Sequence, residues 1–183
     1  MPRTLSTADD RREAVLDSAI AVFAERGYLG TPTSAVAAHA EISTAYVFKL
    51  FPRKESLFVT ALDLCFGRIE EALERGARMA DGGTPDQVLE AMGDAYAELI
   101  ADRSLLMLQV HAQSASDIPE IRDGLRRGLA RITRFATVRS GAEPAAIQRF
   151  IAYGQLCHLI VTTGIEDAPE AWARALTDGI RHP

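Results

Sequence analysis

Residues 31–57 read TPTSAVAAHAEISTAYVFKLFPRKESL, a pattern of two short helices joined by a tight turn and followed by the start of a third. Thr31 is placed to N-cap the first helix, with Pro32 in its first turn, where a missing N–H costs nothing. Val36, Ala37 and Ala40 give that helix a small apolar face, and Glu41–Ile42 form the turn. Ser43 N-caps the second helix, and Pro52 ends it, because the residue before a proline is pushed out of the α region. Val47, Leu50 and Phe51 are spaced i, i+3, i+4 and share the inward side. Thr44, Ala45, Tyr46, Phe48 and Lys49 are left facing away. A short helix that shows small polar, aromatic and basic groups, braced by a small partner helix, is what a helix-turn-helix offers a DNA major groove.

On the N-terminal side, Asp9 or Asp10 starts a helix that runs to Arg26, with Gly27 as its stop. Its apolar stripe is Val15, Leu16, Ala19, Ile20, Val22 and Phe23. Residues 1–8 read as a solvated tail, with Arg3 as a candidate minor-groove arm. The expected domains are residues 1–52 and 53–183. The first holds three helices and is too small to stand alone with confidence, so it should lean on the second.

On the C-terminal side, Lys54 to about Ala80 is one long helix, broken by Asp81-Gly82-Gly83. At 1.5 Å per residue it spans roughly 40 Å, long enough to carry a shift from one domain to the other. Thr84-Pro85 starts a helix carrying Val88, Leu89, Met92, Tyr96 and Leu99. Another is expected over 103–116. Ile118-Pro119-Glu120 opens one to about Val138, whose second face holds Arg122, Arg126, Arg127, Arg131, Arg134 and Arg139. That run reads as a solvated face paired with acidic neighbours rather than a second nucleic-acid surface. Gly141 ends it, and Glu143-Pro144 opens a helix of about twenty residues that is apolar nearly all round and therefore buried on more than one side. Asp167-Ala168-Pro169-Glu170 starts the last helix, with Ala171, Trp172, Ala175, Leu176 and Ile180. The chain is thus expected to be all-α, with about nine helices. The apolar surface of the last two suggests a four-helix dimer interface with their symmetry mates.

Charge and composition narrow the function. The net charge of −5 argues against a protein that coats nucleic acid generally. Residues 1–57 hold seven basic and seven acidic side chains, so the remainder carries the whole −5, and both lysines, Lys49 and Lys54, sit in or just beyond the second short helix. A DNA contact would be local, with the body repelled by the duplex. Cys65 and Cys157 fall within apolar helical patterns and read as reduced core residues of a cytoplasmic protein. No apolar run reaches the ~20 residues of a membrane span, and no signal peptide is expected. There is no phosphate loop, paired Cys-x-x-Cys or His-Glu-x-x-His, so no catalytic residue, cofactor or metal is assigned. His158 beside Cys157, with His111, makes a poor metal set because adjacent helical residues point about 100° apart.

From Ala14 to Leu57 the chain resembles the N-terminal domain of the tetracycline-repressor (TetR) family of bacterial transcriptional regulators. The matching residues are Ala19–Ile20, Phe23, Gly27–Tyr28, Thr31, Val36–Ala37, Ala40, Ile42–Ser43, Val47, Phe48, Phe51 and Lys54-Glu55-Ser56-Leu57. Three positions depart from the family pattern. Glu41 replaces a turn glycine, Ala45 replaces a glycine of the recognition helix, and Phe48 replaces a tyrosine whose hydroxyl commonly meets a phosphate. The resemblance implies a dimeric repressor, joined through its last two helices, on a palindromic double-stranded operator. It implies backbone contacts from Thr31, Thr33, Ser34 and Lys54, and a reader of Ser43–Lys49 in which Thr44, Ala45, Tyr46 and Lys49 reach base edges while Phe48 packs on the backbone. It also implies a small-molecule effector among the middle helices. Phe66, Met92, Tyr96, Met107, His111, Phe150, Tyr153 and His158 mix adaptable apolar groups with a few polar tips, as such a pocket would. Two other classes stay open: a helical ligand- or partner-binding protein with a degenerate helix-turn-helix, and an enzyme using the apolar cavity.

Overall fold

Asp9 and Asp10 place their carboxylates in the first turn of α1 (Ala8–Gly30), where the helix dipole favours negative charge. The computed structural model describes residues 8–181; Arg3 lies outside them. Gly27 breaks the helical path with φ 69° and ψ 177°, so the expected stop falls there, although a further turn continues to Gly30. Then come α2 (Thr33–His39), α3 (Thr44–Leu50) and α4 (Lys54–Met79). These are followed by α5 (Pro85–Ile100), α6 (Arg103–Ser114), α7 (Pro119–Ser140) and α8 (Pro144–Thr163). A 3-10 turn (Ile165–Asp167) leads to α9 (Ala171–Thr177). Among the described residues the architecture is all-helical.

Most boundaries follow from local chemistry. The Thr84 hydroxyl accepts from the Gln87 N–H at 3.3 Å, and the Gln87 side chain accepts from the Thr84 N–H at 2.9 Å. This reciprocal pair satisfies two N–H groups that the helix leaves free. Asp102 accepts from the Ser104 N–H at 3.0 Å to start α6. Gly141 and Gly164, both at φ 65°, take the left-handed conformation that closes α7 and α8. Two expectations need correction. Pro32, not Thr31, is the N-cap of α2; Thr31 is fully buried and its hydroxyl donates to the Val22 carbonyl at 3.3 Å. Ile180 does not belong to the last helix, which ends at Thr177; it packs instead against Ile100, Leu106, Cys157 and Val161.

The long helix α4 is the spine, with α5 and α7 on it and α1 lying across α4 and α6. Close approach requires glycine at two places. A Cβ at Gly76 would stand 2.2 Å from the Ala91 carbonyl oxygen of α5, and one at Gly128 would stand 2.0 Å from the Phe66 ring. The buried cluster runs without interruption from Val15 in α1 to Ile147 in α8, through Phe23, Phe58, Leu62 and Met92. The first three helices therefore lean on the body, as their small size requires. Along the outside, α7 runs parallel to α4 and its arginines meet α4's carboxylates. Arg127 reaches Asp63 at 3.7 Å, Arg131 reaches Glu70 at 2.6 Å, and Arg139 reaches Glu74 at 3.2 Å and Asp81 at 3.0 Å. Arg127, Arg131 and Arg139 are thus paired with acidic neighbours as expected, and Arg126 pairs with Asp123 of its own helix at 3.7 Å, whereas Arg134 donates to the Ala130 carbonyl instead. No helix among the described residues is long and apolar enough to cross a membrane. Cys65 and Cys157 are buried and unpaired, and burial pushes the Cys65 thiol up to about 12.

Candidate nucleic-acid interface and cavity

The turn between α2 and α3 is made by Glu41, at φ 54° the one residue other than glycine with positive φ among the described residues. Its N–H donates to the Ala38 carbonyl at 3.2 Å, and the Ile42 N–H donates to Ala37 at 3.0 Å. These two bonds close α2 in the manner usual for a glycine-terminated helix, so the glutamate occupies the position that glycine holds in the family pattern. The Ser43 hydroxyl then accepts from the Tyr46 N–H at 3.2 Å and starts α3.

Inside, Val47 is fully buried and Phe51 nearly so. Arg12 of α1 stacks its guanidinium 4.4 Å from the centre of the Phe51 ring and donates to the Leu50 carbonyl at 3.3 Å, bracing the end of α3. Outside, Ser43, Ala45, Phe48 and Lys49 are exposed, and Thr44 and Tyr46 are half-buried. Ser34 is exposed at the start of α2, and Thr33 keeps 9 % of its surface. Thr31 is removed from the expected contact set, because its side chain is enclosed and engaged with Val22.

Lys54 opens α4 beside this face. Its ammonium lies 4.4 Å from the centre of the Tyr28 ring, and the Tyr28 hydroxyl donates to Glu55 at 2.7 Å. Partial burial lowers the Lys54 pKa, while the bond from Tyr28 holds the Glu55 carboxyl below its usual range. Burial first, and then Glu55, raise the Tyr28 phenol. The pattern of residues pointed to Lys54 but not to Tyr28 and Glu55 as its supports, nor to Arg12 as the brace of α3. An arginine in the first helix and an aromatic after a glycine carry no local sign of the partners they meet in space.

A cavity of about 420 Å³ opens between α4, α5, α7 and α8. Phe66, Ile69, Leu73, Leu89, Leu129, Ile132 and Phe150 make its apolar walls. Of the eight residues expected to face an effector, Phe66, Tyr96, Phe150 and Tyr153 line it. The other four do not. Met92 is wholly inside the core, and Met107 packs on the Ile100–Leu106 cluster. His111 faces the other way, its Nε2 lying 3.2 Å from the Ala24 carbonyl of α1, next to Gly27. His158 stands behind Tyr96, its Nε2 2.6 Å from the Tyr96 hydroxyl. The Gln109 amide donates to that hydroxyl at 3.4 Å and to the Leu105 carbonyl at 3.1 Å. Burial pushes His158 down to about 4 and raises the Tyr96 phenol, so this inner wall is polar but uncharged at neutral pH. Asp86, Glu90, Asp94, Arg149 and the segment 179–181 also line the cavity. These were missed because charged helical residues read as ordinary solvated face.

Comparison with known proteins follows these features closely. Residues 15–61 match the family described as "Bacterial regulatory proteins, tetR family". Over 83 residues, 45% of this chain, it is 36% identical to the HTH-type transcriptional repressor KstR of Mycolicibacterium smegmatis and 35% identical to that of Mycobacterium tuberculosis. The alignments cover 40% and 37% of those proteins, so the chain matches about two-fifths of the length of these relatives. The whole fold resembles a transcriptional regulator from Rhodococcus sp. Rha1 (TM-score 0.71, 21% identity, 90% of this chain and 91% of that one). It also resembles FadR from Bacillus subtilis, solved in complex with stearoyl-CoA (TM-score 0.69, 19% identity, 92% and 98%). Over residues 15–61 the chain thus carries a helix-turn-helix similar to that of the tetR family of bacterial regulatory proteins, set in a helical body that shares the fold of these regulators.

Proposed function

We propose that the chain is a ligand-responsive transcriptional repressor that binds a palindromic DNA operator as a homodimer. The observation that carries the reading is the outward face of α3. Ala45, Phe48 and Lys49 are exposed on a helix whose other side is locked by Val47 and Phe51, with Ser34 and Lys54 flanking it to meet phosphates. The repressors similar over this region support it. Lys49 suits a guanine edge, and Thr44, Ala45 and Tyr46 complete the readers. A degenerate helix-turn-helix is disfavoured, because the Glu41 turn closes with both of its hydrogen bonds.

Dimerisation through α8 and α9 is supported by the apolar side chains they expose, Tyr153, Leu159 and Trp172. The cavity beside α4 is the effector site in this reading, and FadR, which shares the fold and was solved in complex with stearoyl-CoA, supports a small-molecule ligand for such a body. An effector acts by binding one spacing of the two readers more tightly than the other.

Fluorescence anisotropy on the DNA upstream of the chain's own coding region, at two salt concentrations and against random competitor, tests the reading. Binding that survives the competitor and weakens with salt is the expected result. Binding no tighter than to random DNA there, together with an empty result from a random-library selection, would overturn it.

A further inference from the structure

On α5, Asp86, Glu90, Asp94 and Glu98 stand four residues apart, so they form one acidic stripe. Like charges at this spacing disfavour a helix. The helix dipole compensates Asp86 in the first turn but falls off before Glu90. The first three carboxylates line the cavity, against apolar walls. Asp86 and Glu90 have no ion-pair partner among the described residues. At the other end of the stripe sits a cation from the chain itself. Arg181 places Nη1 3.4 Å from Asp94 and Nη2 2.9 Å from Glu98. Its carbonyl oxygen accepts from the Cys157 thiol at 3.6 Å, which holds residues 179–181 along the cavity wall. Arg149 is the remaining charge on the lining. With Arg181 committed to Asp94 and Glu98, two carboxylates face that one guanidinium, so the rim stays net negative. The inner wall, Tyr96 with Gln109 behind it, offers no positive charge to an anion.

We propose that the cavity takes an amphiphilic organic cation, its apolar body against Phe66, Leu129 and Phe150 and its protonated amine at the Asp86–Glu90–Asp94 rim. This inference rests on the cavity being the effector site. Arg181 occupies part of the rim in the free protein, and an amine competes with it for Asp94.

The test uses three probes of one shape, phenylhexylamine, phenylhexanol and phenylhexanoate, titrated calorimetrically into the full chain and then into its operator complex. The amine is expected to bind about tenfold tighter than either of the others, from a charge contact of ordinary rim strength. Replacing Glu90→Gln together with Asp86→Asn should weaken the amine about five- to tenfold and leave the alcohol unchanged. Arg181→Gln should tighten the amine. The inference is overturned if phenylhexanoate binds tightest, or if the acid substitutions leave the amine unaffected. Operator release by the alcohol or carboxylate but not the amine would sink the cation and keep the effector cavity. No binding by any of the three would sink both.

Discussion

At the scale of single residues, Glu41 carries the clearest cost. A side chain in the left-handed region is disfavoured by roughly 1–2 kcal/mol, and part of what glycine relieves is returned as unfolded-state freedom. Glu41→Gly should therefore stabilise the chain by about 0.5–1 kcal/mol and raise its Tm by about 2–4 °C in calorimetry. Glu41→Val should lower it. His158 sets a second expectation. Its pKa is pushed down to about 4 by burial, below the value of about 6.5 in the unfolded chain. The unfolded state therefore binds the proton first, and stability falls as pH drops from about 6.5 toward 4. His158→Gln, which keeps a partner for the Tyr96 hydroxyl, should flatten that slope; the difference between the two proteins near pH 4 should reach about 2–3 kcal/mol. Unchanged pH profiles of Tm would refute it. Some of this scale was legible beforehand and some was not. A glutamate at the turn stood out against the family pattern. Thr31 beside Pro32 looks the same whether its hydroxyl caps α2 or turns back to Val22.

Among whole elements, the fit of α4 against its neighbours depends on two glycines that fail differently when filled. Gly76→Ala meets a backbone carbonyl of α5 at 2.2 Å, and Gly128→Ala meets the Phe66 ring at 2.0 Å. A ring can turn aside into the adjoining cavity, whereas a helix backbone cannot. Gly76→Ala should cost about 3 kcal/mol or more and Gly128→Ala nearer 1–2, by urea denaturation. Gly128→Ala should also shrink the cavity and weaken whatever binds there; equal costs for the two would refute the distinction. The helix starts and stops themselves were largely readable, because Thr84-Pro85, Ile118-Pro119, Gly141 and Glu143-Pro144 each announce a boundary chemically. The last helix was overextended because Trp172, Leu176 and Ile180 keep a helical spacing, although Gly179 at φ 78° turns the chain between them.

For the molecule as a whole, charge placement decides how DNA is approached in the proposed function. The arginines of α7 that meet α4 are occupied by its carboxylates, so they add little attraction to that of the cations around α3. Lys54→Ala should weaken binding to all sequences alike and reduce the salt dependence by about one unit of slope. A change of preferred base instead would remove Lys54 from the phosphate contacts. The proposed dimer belongs to this scale too: Leu159→Arg should yield monomers in sedimentation and lose tight operator binding, while the far-ultraviolet spectrum stays helical. Four of the eight residues expected around a pocket, all aromatic and on α4, α5 and α8, do line the cavity. Most of the lining was not foreseen, since periodicity tells that a helix is buried on several sides without saying which side meets a void. Met92 and Phe66 are alike in pattern and opposite in place.

The spine also has a mechanical meaning. Phe66 on the cavity wall and Lys54 at the DNA face share α4 without a break, about 18 Å apart along its axis. A tilt of about 5° at the Phe66 end would sweep Lys54 through about 1.5 Å at that radius, and in the proposed dimer the two-fold related copy would make the same movement, rotated by the axis. In that proposed dimer, a shift of half a hydrogen-bond length at each end would change the spacing of the two readers against the pitch of a duplex. The protein needs no hinge, only a lever whose short arm is a ligand's width.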